Sequence, residues 1–117
     1  MAHSSTKDTA KRTYPGQEWC PVARTLDIVG DRWTLLIIRD IFFRQRKFSE
    51  LLESLPGLSP NLLADRLKRL EEHDIVERRF YSDHPPRAEY FFTKKGLALG
   101  KVVAAMKAWG EEWEPEA

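Results

Sequence analysis

Cys20 is the only thiol in the chain, and its neighbours bear on what it can do. In "CPVARTLDIVG" it precedes Pro21 at the start of a predicted helix, where the peptide dipole favours a thiolate. Arg24, one turn later, adds a positive charge. Such a thiol would react with oxidants or electrophiles; the alternative is inert packing or capping, because free cysteine is among the most buried residue types. One cysteine excludes an intramolecular disulfide, and His3, His73 and His84 have no zinc-ligand spacing with it, so no metal is expected. His73 reads as a partner for a helix C-terminal dipole and His84 as a solvated or turn-stabilising residue. No nucleophile is paired with a base, no glycine-rich loop cradles phosphate and no carboxylate pair is set out for acid–base work. The sequence therefore argues against an enzyme and calls for no cofactor.

The second chemistry is hydrogen bonding by a polar helix face. In "LSPNLLADRLKRLEEHDIV", Leu63, Leu67 and Leu70 repeat at helical spacing. Asn61, Asp65 and Lys68 fall opposite them, with Ala64 and Arg69 flanking and Arg66 beside the stripe. A helix about 10–12 Å across fits a major groove roughly 12 Å wide. There Asn61 suits adenine, Lys68 guanine or phosphate and Asp65 cytosine N4, while the small Ala64 permits close approach. From Asp65 to Glu72 positive and negative charges balance, so this face suits reading more than electrostatic affinity. Affinity is expected from "RQRK" ending in Lys47, from the helix start around Ser49, and from Arg79 and Arg87. The same face on an ordinary helix would simply be solvated.

These residues need elements to hold them. At 117 residues, 42% hydrophobic and 32% charged, the chain suits one globular domain with one core. No apolar run approaches the roughly 20 residues of a membrane span, and "MAHSSTKDTAKRTYPGQ" lacks the apolar centre of a secretory signal, so a cytoplasmic protein is expected. Net charge is +1, but four glutamates lie in the last seven residues. Residues 1–110 carry 19 positive against 14 negative charges, a balance of +5.

Cys20 and Pro21 open a predicted helix with Val22, Ala23, Leu26 and Val29 on one face and Gly30 at its end. "DRWTLLIIRDIFF" reads as a buried central helix capped by Asp31 and apolar almost all round from Trp33 to Ile38. "KFSELLESLPG" is a short helix with Phe48, Leu51, Leu52 and Leu55 inward. The helix from Ser59 to His73 follows a turn around Gly57 and Leu58. After Asp74 the period changes to two, predicting a hairpin of Val76–Tyr81 against Arg87–Phe92, with "SDHPP" as a wide, stiff loop and Arg87 near the tip. Thr93 caps one last predicted helix, "KKGLALGKVVAAMKAWGEEW". Its Leu99, Val102, Val103, Met106, Trp109 and Trp113 carry more apolar surface than a small domain needs.

Helix, helix, turn, helix, hairpin is the order of a winged helix-turn-helix. The chain resembles the HxlR family of bacterial transcriptional regulators, relatives of the MarR group, through "CPVARTLDIVGDRWTLLIIRD", "FSELLESLPGLSPNLLADRLKRLEE", "VERRFYSDHPPRAEYFFTKKG" and "AWGEEW". Two departures stand out: Asp74 occupies a position where the family commonly has Gly, and "RQRK" replaces a more usual Gly-Pro-containing turn.

The resemblance implies a mainly α fold with a β-hairpin, a winged helix-turn-helix with N- and C-terminal dimerisation helices. Residues 1–18 would form a disordered tail, 19–113 the DNA-binding domain and 114–117 an acidic tail. It further implies a homodimer on double-stranded DNA, with Ser59–His73 as recognition helix. Candidate DNA contacts are Lys47, Ser49, Ser59, Asn61, Ala64, Asp65, Lys68, Arg69, Arg79 and Arg87. Members that sense oxidants through a cysteine at this "CP" position make Cys20 a candidate sensor. Because one helix reads only a few base pairs, two must act together on a pseudo-palindromic operator. Val22, Leu26, Leu99, Val103, Met106 and Trp109 are the expected dimer surface, and no motif specifies a small-molecule effector. The alternative is a winged-helix module for protein–protein contact.

Overall fold

A computed structural model describes residues 14–116. Two consecutive turns over residues 14–20 lead into α1 (Pro21–Val29), so the part of the expected disordered tail from Tyr14 onward is a set of turns. Residues 1–13 lie outside the described residues. Then come α2 (Thr34–Phe42), α3 (Phe48–Ser54), α4 (Pro60–Glu72), β1 (Val76–Asp83), β2 (Pro86–Phe92), α5 (Lys94–Leu97) and α6 (Gly100–Trp113). This is the mainly helical, winged architecture that the periodicities predict. Among the described residues no helix is long and apolar enough to cross a membrane.

The core forms where α2, α3 and α4 meet the base of the hairpin. Ile37, Ile38 and Ile41 of α2 are fully buried against Leu51 of α3, Leu63, Leu67 and Leu70 of α4, and Val76 of β1. Each such side chain stabilises the fold by about 1.5–3 kcal/mol through burial. Asp40, a buried charge on α2, is paired with Arg39 at 2.8 Å and accepts the Ser54 hydroxyl at 2.7 Å, which ties α2 to the end of α3. A buried carboxylate without such partners would cost several kcal/mol, by order of magnitude.

Three expectations, on the central helix, the hairpin loop and the last helix, are corrected. The central helix starts at Thr34, because Asp31 stands two residues before Trp33 and accepts from the Trp33 N–H and the Thr34 hydroxyl rather than continuing the helix. On α1 only Val29 is buried and Ile28 packs against the core, while Val22 and Leu26, expected on a dimer surface, are exposed. The wide "SDHPP" loop is a two-residue turn: pairing continues to Asp83 and Pro86, leaving His84 and Pro85, joined by a cis peptide, at the tip. The last helix is broken after Leu97. Gly96 lies close under the Ile75 carbonyl, docking α5 on the hairpin base, and α6 begins after a break at Gly100 beside Phe42.

Both departures from the family pattern fall on left-handed backbone. Arg44 (φ 72°) follows α2 and Asp74 (φ 62°) follows α4. After α2, the Gln45 N–H donates to the Asp40 carbonyl and the Arg44 N–H to the Ile41 carbonyl. After α4, Ile75 and Asp74 donate in the same way to Leu70 and Glu71. Each is a Schellman closure whose left-handed residue is usually glycine. Glycine replacement removes the Cβ penalty, which Asp bears more easily than Arg. In thermal melts, Arg44→Gly is expected to stabilise by about 1 kcal/mol and Asp74→Gly by about 0.5 kcal/mol.

Candidate nucleic-acid interface

Burial divides α4 as its sequence predicts. Leu63, Leu67 and Leu70 face the core, while Asn61, Ala64, Asp65, Lys68 and Glu72 are exposed. Pro60 occupies the first turn, and the Ser59 hydroxyl accepts the Leu62 N–H at 3.1 Å. The Lys95 ammonium donates to the His73 carbonyl at 2.8 Å, placing a cation at the helix C-terminus where the dipole favours one.

Two arginines brace α4 from behind. Arg66 Nε donates to Asp31 at 2.7 Å, and the same guanidinium pairs with Asp65. Arg69 Nη2 donates to the Asp27 carbonyl at 2.7 Å, in the last turn of α1, where helical carbonyls lack intrahelical partners. Together they fix α4 against the corner between α1 and α2. The structure therefore commits Arg69, a candidate DNA contact, to the chain's own backbone, and leaves Asp65 exposed but ion-paired. Asn61, Ala64 and Lys68 are the outward residues that remain.

Burial pushes the Asp31 carboxyl up, but hydrogen bonds from Thr34, Arg66 and the Trp33 N–H, together with the Arg66 charge, outweigh it and hold it below its usual range. A carboxylate depressed in the folded state contributes stability above its unfolded pKa and loses it as pH falls through the folded value. Asp31→Asn should thus lower the melting temperature at around pH 7 and cost progressively less below about pH 4. A penalty independent of pH would assign Asp31 a purely steric role.

The wing presents two faces, because side chains alternate along a strand. On one, Arg79 pairs with Glu77 at 2.7 Å and lies 4.1 Å over the Phe91 ring, joined there by Arg46 at 4.8 Å. Lys47 sits 5.0 Å over Tyr81, which the bulge between Phe80 and Ser82 leaves without a strand partner. A Lys47–Glu89 bridge and the Tyr90 N–H on the Arg46 carbonyl at 2.9 Å bind the α2–α3 turn to β2. Much of "RQRK" therefore forms one basic strip with the wing. Arg87 pairs with Ser82 and is exposed near the tip.

At the start of α3, Ser49 is exposed and Glu50 reaches back to accept the Arg46 and Lys47 N–H groups at 3.0 Å each. The Lys47 N–H is the main cause that holds the Glu50 carboxyl low; burial opposes it, and the Arg46 N–H and Lys47 charge assist. The sequence reading missed Glu50, although an acid in the first turn of a helix is its signal. It also missed the ties of Arg66 and Arg69, which join segments 35 and 42 residues apart and leave no local pattern.

Cys20 is the N-cap residue of α1, half-buried, with no side-chain capping bond. Arg24 donates to the Glu18 carbonyl at 2.6 Å, so its guanidinium is engaged by backbone. Among the dimer candidates, Val22, Leu26, Met106 and Trp109 are exposed, whereas Leu99 and Val103 pack partly on this chain's own core. Among the described residues, no group of three or more His, Cys, Asp or Glu could hold a metal.

Comparison with known proteins gives this arrangement a lineage. The HxlR-like helix-turn-helix family model matches residues 28–117. The HTH-type transcriptional regulator sll1512 of Synechocystis sp. is 38% identical over 94 residues, 80% of this chain and 70% of that one. The HTH-type transcriptional regulator YodB of Bacillus subtilis is 36% identical over 99 residues, 84% of this chain and 88% of that one. The structure of reduced YodB superposes with a TM-score of 0.68 at 37% identity, covering 84% of this chain and 98% of that chain. The redox regulator HypR in its reduced form gives 0.74 at 34% identity, covering 79% and 91%. With a family model spanning most of its length, regulators as relatives and a wing flanking the exposed face of α4, the chain belongs to the HxlR-like helix-turn-helix family of transcriptional regulators.

Proposed function

We propose that the protein is a homodimeric, sequence-specific DNA-binding regulator that acts in the cytoplasm, inserting α4 into the major groove of a pseudo-palindromic operator. The observation that carries this reading is the division of α4. A fully buried leucine stripe fixes the helix, and Asn61, Ala64 and Lys68 are left on the outer face beside a basic wing. Nothing in the fold's own packing requires that polar set, and one turn of such residues can reach base edges.

Readout and anchoring then separate by residue. Asn61→Ala or Lys68→Ala should each cost about 1–3 kcal/mol of operator affinity and relax discrimination at one position. Arg87→Ala should weaken operator and random duplex alike and flatten the salt dependence. Binding is measured by fluorescence anisotropy on a duplex from the chain's own promoter region. Operator affinity unchanged in all three variants would sink this docking, and absence of salt-dependent binding would favour the protein–protein module.

A redox-responsive form is favoured by one further observation: the half-buried Cys20 thiol stands at a helix N-terminus without a capping bond. YodB and HypR, both similar in structure, include a reduced form of each and an oxidised form of HypR. Oxidant should change the DNA affinity of the wild type and leave Cys20→Ser unaffected. Indifference of both proteins to oxidant would rule out the sensor.

A further inference from the structure

The outer face of α4 continues into a groove of about 530 Å³ whose far wall is the wing. Ala64 and Lys68 line its helical side, and Arg78 and Tyr90 its strand side, with Glu71 between them. Arg78 and Tyr90 are paired residues of β1 and β2, on the opposite face of the hairpin from Arg79 and Phe91. Arg78 Nε approaches Glu71 Oε2 at 3.2 Å, and both side chains are partly exposed, at 46% and 34%.

We infer that Arg78 is a wing-borne contact to the DNA phosphodiester backbone, and that Glu71 restrains it so that loosely docked duplexes gain little from it. This rests on the reading of α4 as the groove-reading helix. Residues that would face base edges, Ala64 and Lys68, border the same groove, so a duplex seated on α4 brings its backbone towards Arg78. The existing ion pair is a weak hold, since exposed pairs are worth about 0–1 kcal/mol. A charge-assisted contact with phosphate is roughly twice as strong as a neutral hydrogen bond and competes with it. Burial raises the Tyr90 phenol above its usual range, with the Arg78 charge opposing and Glu71 adding, and its side chain lines the same groove. Glu71 works in the other direction. Once Arg78 turns to phosphate, the Glu71 carboxylate is left facing a polyanion, a cost that only a well-registered duplex offsets.

Full-length protein is titrated with the promoter-region duplex and with a scrambled duplex of equal composition across a salt series. Arg78→Gln, which keeps hydrogen-bonding capacity and loses the charge, should lower affinity for the promoter-region duplex and reduce its slope of log K against log salt by about 0.9, with a smaller loss on the scrambled duplex. Arg78→Lys should retain that slope. Glu71→Gln should raise scrambled-duplex affinity about fivefold and promoter affinity less, narrowing the ratio. A wild type that binds neither duplex overturns the reading of α4 and this inference with it. A wild type that binds, with an Arg78→Gln slope unchanged on the promoter-region duplex or a Glu71→Gln variant no tighter on scrambled duplex, overturns this inference alone. Thermal melts at wild-type temperature exclude unfolding as the cause of lost binding.

Discussion

Met106→Glu is expected to sediment as a monomer at micromolar concentrations where the wild type is a dimer. The reason lies in α6: fourteen residues long, it buries none of them fully and leaves Met106 53% and Trp109 61% exposed. An isolated helix of that length is marginal in water, so it needs packing. Its inner edge meets α2 along an apolar groove of about 560 Å³, where Leu36, Phe42 and Phe43 face Val103 and Met106. A second copy related by a two-fold axis would cover this surface with its own equivalent. Burying such a side chain contributes about 2–3 kcal/mol, and symmetry counts it twice. Losing that much should weaken association by about a thousandfold or more. A carboxylate in the seam adds a desolvation cost, while the exposed position lets the monomer keep its helical content. Operator affinity should fall in parallel, because in the proposed dimer two copies of α4 about 34 Å apart would share the readout. A wild-type monomer, or a variant that still sediments as a dimer, would place the interface elsewhere.

Sequence periodicity captured what depends on one element at a time. The leucine stripe of α4, its Ser59–Pro60 start, the α1 start at Pro21 and the change to a period of two at the hairpin are local patterns, and each stands where it was expected. What was not legible depends on what distant segments bring. Arg69 on α4 looks like an outward cation in sequence. In the fold, the end of α1 offers it the Asp27 carbonyl, and the side chain turns inward. Arg46 reads as part of a free basic cluster until the wing places Phe91 beneath it. At the hairpin tip, "SDHPP" lacks the Asn-Gly signature of a tight turn and reads as a wide loop, whereas strand pairing extends through Ser82 and Asp83 to leave a two-residue connection. For the candidate site, residue types on the outer face of α4 were readable. Which cations remained available was not, because availability is settled by partners that lie far away in sequence.

The same reasoning gives Gly96→Ala the largest expected effect on stability. In sequence Gly96 is a helix-weakening residue inside "KKGLALG". In the fold it lies directly against the wing base at Ile75 and Phe92. A Cβ there would lie 2.0 Å from the Ile75 carbonyl oxygen and 2.8 Å from the Phe92 ring. Neither can give way cheaply. The Ile75 carbonyl accepts the Thr93 N–H at 3.1 Å, and the Ile75 N–H closes the end of α4 on Leu70 at 2.8 Å. Phe92 stacks on Phe42 of α2 with centroids 4.2 Å apart. The added methyl must therefore push α5 off the hairpin, breaking the Thr93 cap on the Gly96 N–H, or shift the wing base. Overpacking of a rigid site costs about 1–3 kcal/mol and more where backbone must move, so a loss of about 3 kcal/mol is expected. For a domain of this size that is a fall of about 10–20 °C in melting temperature. Ala98→Gly, an exposed neighbour at the end of α5, serves as the control and should cost no more than about 1 kcal/mol. Equal melting temperatures for Gly96→Ala and the wild type would mean that α5 can leave the hairpin freely. The wing and α6 would then move independently, instead of as one body carrying the α4 face.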